Sequence, residues 1–214
     1  MLQKLAAEFT GTAMLLIAVV GSGIMGDTLA GGNTAIALLA NAVATGCMLY
    51  VIISTLGPIS GAHFNPAVTL FFALQQQFPK AQILPYISVQ IAGGILGVWL
   101  THVMFDLSIL QLSTTTHRTG YAQWSSEILA TLGLLFVITG CKPATAPALV
   151  SIYITGAYWF TASTSFANPA VTIARSFTDT FAGIQPTHAP AFVAMQLFAM
   201  ALATLTLPRL FAKP

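Results

Sequence analysis

Few side chains in this sequence can do chemistry, and those few sit in apolar surroundings. Two carboxylates, Glu8 and Glu127, lie inside long hydrophobic runs, with His63 the nearest further titratable group. Two asparagines, Asn65 and Asn168, each open the run Asn-Pro-Ala-Val-Thr. An ionisable group in such a run is costly unless it faces protein and finds a partner. Two chemistries are open to this set. The acids and His63 could relay protons, or the carboxylates could accept hydrogen bonds from irregular backbone while the asparagine amides offer donors to a polar solute. A relay needs more titratable groups than the runs contain, and the matching placement of the two glutamates favours the second reading. Glu8, Glu127 and His63 are therefore read as supports for loops. Paired catalytic carboxylates, a metal-ligand cluster and a nucleophile–base pair are not found, so the sequence reads as no enzyme and implies no cofactor or metal.

The elements that position these groups follow from composition. Of 214 residues, 56% are hydrophobic and 6% charged, with a mean hydropathy of +0.83. Soluble domains carry about a quarter charged residues, so an ordinary wet surface is excluded. Six apolar stretches, roughly 5–25, 35–57, 82–105, 125–141, 146–163 and 190–208, have the length of bilayer-spanning helices. They predict an all-α membrane protein with one domain over 1–214. The first stretch follows Lys4 as a secretory signal would, but Glu8 inside it and its length favour a helix. Cys47 and Cys141 lack metal spacing and read as small hydrophobes. Lys4, Lys80, Lys142, Arg209 and Lys213 fall on one side of the predicted spans, and Arg118 and Arg175 on the other with Asp27, Asp106 and Asp179. Basic residues favour the cytoplasmic side, which puts both termini inside. The net charge of +2 gives no footing for a nucleic-acid partner.

The chain repeats itself. "EFTGTAMLLIAVVG" from Glu8 and "EILATLGLLFVITG" from Glu127 share the acid, a Thr, a Leu pair and the closing Gly. Gln90 in "QIAGGILG" and Gln196 in "QLFAMALA" recur in the same order. Halves of about 1–110 and 120–214, with three spans each, must enter the membrane from opposite faces, giving an inverted 3+3 repeat. Gly93, Gly94 and Gly97 suit close helix packing.

The repeated asparagine word fits that plan. "PAVTLFFALQQQ" after Asn65 is about ten residues before Pro79, too short to span a bilayer and right for a half-helix. "PAVTIARSFTDTF" after Asn168 is expected to run to near Gly183. Proline suits the first helical position, and asparagine before it is a strong N-cap. Each re-entrant loop is tolerated because it lines a polar cavity. Inverted symmetry brings the two half-helix N-termini together, each with roughly half a positive charge, which repels cations and accepts neutral hydroxylated solutes.

On "AEFTGT", "SGAHFNPAVTL" and "NPA" followed by "ARSF", the sequence resembles the aquaporin and aquaglyceroporin superfamily, the major intrinsic proteins. The resemblance covers nearly the whole chain. It implies six transmembrane helices with two half-helices, a homotetramer with one pore per subunit, and a central constriction at Asn65, Pro66, Ala67, Asn168, Pro169 and Ala170. It also implies an outer filter of four positions, counted from the two asparagines as Thr45, Gly156, Ser165 and Val171. Family members that select water place an aromatic, a His and an Arg there, and glycerol conductors keep the Arg with aromatics and a Gly. Here the count gives neither aromatic nor Arg, hence a wide constriction without a fixed guanidinium. Arg175, one turn beyond Val171, either lines the outer vestibule and draws anions, or snorkels outward or pairs with Asp179, its (i, i+4) neighbour.

That departure is similar to the aquaporin-like channels of bacterial arsenic-resistance operons. It implies passive passage of arsenous acid and related or methylated arsenic species, neutral or weakly anionic, with water, across a bacterial inner (plasma) membrane. A general glycerol, urea or water facilitator is the alternative within the class. A secondary transporter would need a coupling-ion site, for which only Glu8, Glu127 and His63 are available. His102, His117 and His188 are expected at or beyond the outer helix ends, as solvated loop residues rather than a pH gate.

Overall fold

A computed structural model describes residues 1–212; Lys213, one of the basic residues used for orientation, lies outside the described residues. Those residues form eight α-helices and one short 3-10 turn (Lys80–Gln82). The first half holds α1 (Leu2–Leu29), α2 (Thr34–Ser60), the half-helix α3 (Pro66–Leu74) and α4 (Ile83–Met104). The second holds α5 (Tyr121–Gly140), α6 (Ala146–Phe160), the half-helix α7 (Pro169–Arg175) and α8 (Ala189–Leu210).

The packing is symmetric under exchange of the halves. Helix α1 lies on α2 and α4 as α5 lies on α6 and α8; α3 meets α8 as α7 meets α4. The seam between halves is α2 against α6, and the two half-helices touch each other. This is the inverted repeat that the paired glutamates and glutamines predict.

Close approach of α1 and α4 is set by two glycines. A Cβ on Gly93 would overlap the carbonyl oxygen of Phe9, and one on Gly97 that of Ala13. Backbone sits where side chains would otherwise keep the helices apart, a packing mode suited to lipid, where water supplies no squeeze. Gly94 plays a lesser part, with the Ala174 methyl 3.1 Å from where its Cβ would stand.

Several expected boundaries move, three of them at elements that shape the site. Five helices are long and apolar enough to cross a membrane, whereas α6 stops at 15 residues. It ends at Phe160 instead of 163 because Thr161 turns extended and its Oγ1 bonds back to the Ala157 carbonyl. Helix α2 continues through Pro58 to Ser60, since proline in a last turn forfeits only one backbone bond. The half-helix α7 ends at Arg175, well short of Gly183. Beyond it, 176–188 folds into turns tied to the α4–α5 connection, where Ser113 N donates to the Ser176 carbonyl (2.9 Å) and Gln185 N to that of Thr116 (3.1 Å).

Candidate functional site

Each asparagine caps its own half-helix and clasps the opposite loop. Asn65 is extended (φ −154°), and its Oδ1 accepts from Ala67 N at 2.9 Å. Asn168 (φ −159°) accepts from Ala170 N at 2.9 Å and Val171 N at 3.3 Å. The remaining amide groups cross over: Asn65 Nδ2 donates to the Ala167 carbonyl (2.7 Å), and Asn168 Nδ2 to that of Phe64 (2.8 Å). An amide nitrogen carries two hydrogens. One is spent on the clasp, and the other is free for the cavity that both asparagines line.

The loops before the asparagines are strained in the same way. Ala62 and Phe64 in the first, and Ser165 and Ala167 in the second, have left-handed backbone with φ between 48° and 52°. Such conformations cost of order 1 kcal/mol each for residues with a Cβ and persist only where the surroundings hold them. The glutamates do the holding. Glu8 accepts from His63 N (2.9 Å), Phe64 N (2.7 Å), Ser60 Oγ (2.7 Å) and Gln90 Nε2 (2.8 Å). Glu127 accepts from Phe166 N and Ala167 N (both 2.9 Å) and Gln196 Nε2 (2.6 Å). Gln90 and Gln196 in turn reach Thr69 (3.1 Å) and Thr172 (2.9 Å), the Thr of each repeated run. Both carboxylates are fully buried with their oxygens engaged in this way. His63 has its Nδ1 3.1 Å from Thr69 Oγ1, with its ring stacked on Phe72 and against Phe78 and Tyr86.

A cavity of about 830 Å³ runs past these loops. Its lining includes Thr45, Ser165 and Val171 but not Gly156, which is exposed on the outside of α6. Beside Thr45 the lining residue from α6 is Tyr158. Helix geometry explains the correction: Val150, Ile154 and Tyr158 recur at (i, i+4) and all line the cavity, whereas two residues of offset rotate Gly156 by about 200°. Ala157 is buried without lining it. The Tyr158 hydroxyl stands 3.2 Å from Thr45 Oγ1, so an aromatic with a polar tip does belong to this level. Ser165 Oγ is buried and has no hydrogen-bond partner among the described residues.

Arg175 neither snorkels nor pairs with Asp179. It is 2% exposed and lines the cavity; its Nε donates to the Ala182 carbonyl and its guanidinium lies 3.5 Å above the Phe166 ring centroid. Asp179 lies beyond the end of α7 and accepts instead from the backbone and hydroxyl groups of Thr114 and Thr115, at 2.6–2.9 Å. Those bonds hold its carboxyl well below the usual range. His102 is buried rather than solvated, its ring bridging the Ile109 carbonyl and Thr178 Oγ1 at 2.9 Å each.

Sequence reasoning missed two residues. Tyr158 was within reach of the α6 periodicity, which an ungapped count from Asn168 ignored. Arg118 had no local signal: it stands in the α4–α5 connection and folds back to donate to the carbonyls of Gly183 (2.9 Å), Ser163 (3.3 Å) and Phe181 (3.4 Å).

Known proteins share this plan. The Major intrinsic protein family model matches residues 1–153, which include the first Asn-Pro-Ala but not the second. The chain is 50% identical over 215 residues to "Aquaglyceroporin AqpS" of Rhizobium meliloti, covering 99% of this chain and 91% of that one. It is 32% identical over 159 residues to "Aquaporin Z" of Bradyrhizobium diazoefficiens, covering 69% and 65%. The X-ray structure of the aquaglyceroporin from Plasmodium falciparum superposes with a TM-score of 0.71 over 98% of both chains, at 18% identity, a likeness of fold alone.

Proposed function

Since this chain belongs to the major intrinsic protein (aquaporin) family, whose members are passive membrane channels and not enzymes, we propose that its solutes are arsenous acid and related or methylated arsenic species. The observation that carries this reading is Val171. It lines the cavity three residues after Asn168, where the family places an arginine, and leaves the hydroxyls of Thr45, Tyr158 and Ser165 as the polar groups beside it, with Arg175 one turn further along. Arsenous acid at neutral pH is an uncharged trihydroxy molecule. It needs hydroxyl partners and no counter-charge, and an apolar Val171 leaves room for a methyl substituent. Asn65 and Asn168, with the proline and alanine after each, form the central constriction in this reading, and Glu8, Glu127 and His63 support its loops.

The alternative is a glycerol, urea or water facilitator, favoured by the name aquaglyceroporin carried by the relative at 50% identity. Stopped-flow permeability in proteoliposomes separates the two, comparing water, glycerol, arsenous acid and methylarsenate for wild type and Val171→Arg. The arsenic reading expects the arsenic species to pass and the larger ones to be lost in the variant. Passage of water and glycerol alone overturns it. The channel is further proposed to be a homotetramer in a bacterial inner membrane, with both termini cytoplasmic on the distribution of Lys4, Lys80, Lys142 and Arg209.

A further inference from the structure

The two basic residues at the outer end of the chain's topology converge on one aromatic ring. The Arg175 guanidinium is 3.5 Å and that of Arg118 is 5.1 Å from the Phe166 centroid. One comes from the C-terminus of α7, the other from the connection 105–120. Two like charges brought together repel, so the fold must offset them. The ring face attracts cations, and the Ala182, Gly183, Ser163 and Phe181 carbonyls accept their N–H groups. All these partners are neutral. They solvate the guanidinium charges without cancelling them, and arginine does not give up its proton in proteins. Glu127 is the one carboxylate whose charge reaches both guanidiniums, and it is bonded to Phe166 N, Ala167 N and Gln196 rather than to either arginine, so one negative charge at a distance stands against two positive ones.

The inverted repeat shows that this is a specific feature of the second half. Phe166 is two residues before Asn168 and Arg175 seven after it; the same offsets from Asn65 give His63 and Phe72. That pair is also stacked, with centroids 5.1 Å apart. The fold therefore builds the same stacking contact at both ends of the pathway, and only at the outer end has it installed a permanent charge. Arg175 lines the cavity there beside Val171 and Ser165.

We propose that Arg175 and Arg118 together are the outer charge filter of this channel: a two-guanidinium barrier, one turn beyond Val171, that rejects cations and admits neutral and anionic solutes. The inference rests on the channel reading and not on any particular solute. Arg175 acts at the lumen; Arg118 is a positioning residue that adds its charge and pins the surrounding carbonyls.

The test uses proteoliposomes and two small hydroxylated probes, neutral ethylene glycol and the cation ethanolammonium. A charge removed from within several ångströms of the path changes cation passage by about tenfold. Arg175→Gln and Arg118→Gln are each expected to raise the cation-to-neutral permeability ratio about tenfold, and Arg175→Lys to keep it within about threefold of wild type. A Gln variant that leaves the ratio unchanged, or a Lys variant that leaks as the Gln variant does, overturns the proposal. Wild type supplies an arm independent of variant folding. Its ratio is expected to stay well below one at 10 mM salt and to change little at 500 mM, because charges buried in the wall are screened far less than exposed ones; a cation that passes as readily as ethylene glycol overturns the proposal. Failure of ethylene glycol to pass wild type at all would instead sink the channel reading.

Discussion

The hydroxyls of Thr45 on α2 and Tyr158 on α6 meet at 3.2 Å, joining the two halves of the molecule at the level of Ser165 and Val171. One of these hydroxyls is donor to the other, which leaves further lone pairs and a proton for a passing solute. Tyr158→Phe removes one hydrogen-bonding group and keeps the ring. A hydrogen bond of about 1 kcal/mol lost at the constriction predicts roughly fivefold slower glycerol and arsenous acid entry, with water less affected. Stopped-flow light scattering on the variant reads this directly, and equal slowing of all solutes would count against a specific contact.

Glu127 receives three donors that a neutral amide cannot match, because a glutamine presents its own N–H groups to some of them. Glu127→Gln is expected to cost about 2–4 kcal/mol, the range for a buried donor left without its partner plus the lost charge assistance. For a chain of this size that is a fall of roughly 5 °C or more in the thermal midpoint in detergent. Glu8→Gln should behave alike, as its equivalent in the other half.

If the two glutamates anchor loops and pass no protons, solute flux carries no memory of the proton gradient. Imposing a gradient of two pH units across wild-type vesicles is expected to leave glycerol flux unchanged, and flux should rise linearly with concentration. Saturation together with gradient dependence would restore the transporter reading that Glu8, Glu127 and His63 leave open in the sequence.

Asp179 ties the 105–120 connection to the segment after α7. Its folded-state affinity for protons lies below that of the unfolded chain, so its contribution is present above about pH 4 and is lost only as pH falls through the lower folded value. Hydrogen exchange of Thr114 and Thr115 should therefore be flat from pH 5 to 8 once corrected for intrinsic rates. Asp179→Asn should raise it severalfold at every pH in that window.

Gly97 faces the Ala13 carbonyl with no room for a methyl group. Gly97→Ala is expected to destabilise by roughly 1–3 kcal/mol, since α1 and α4 must separate to accept it. Gly120, where a Cβ would meet open space but the backbone is left-handed, is the contrasting site. Alanine there should cost only backbone strain, of order 1–3 kcal/mol at φ 101° and ψ 161°, with no separation of helices. Thermal unfolding of both variants in the same detergent provides the comparison.

The fold was written plainly in hydrophobic spacing and in the doubled asparagine word, because helix length and N-cap chemistry are local. The roles of Glu8 and Glu127 followed from their matching offsets. What the sequence concealed was register and reach. Gly156 failed as a lining residue because counting along a chain does not see where a helix ends and a loop takes a shorter path; rotation about α6 does, and it selects Tyr158. For Arg175 the sequence left two readings open, lining the cavity or turning away from it, and gave the wrong partner. The supposed Asp179 neighbour assumed a helix that in fact stops at Arg175, and Phe166 reaches it only through the fold. Arg118 depends on contacts 45 to 65 residues away and had no local signature.

The crossed clasp of the two asparagines also sets an order of events during biosynthesis. Asn65 must wait for Ala167, 102 residues later, and Phe64 for Asn168, 104 residues later. The first loop can collect its glutamate contacts from Glu8 as soon as α1 and α2 are in the membrane, yet the donor of Asn65 stays without its acceptor until almost the whole chain has left the ribosome. The clasp between the two loops thus closes late, and a chain interrupted before residue 168 holds a shaped first loop without its partner.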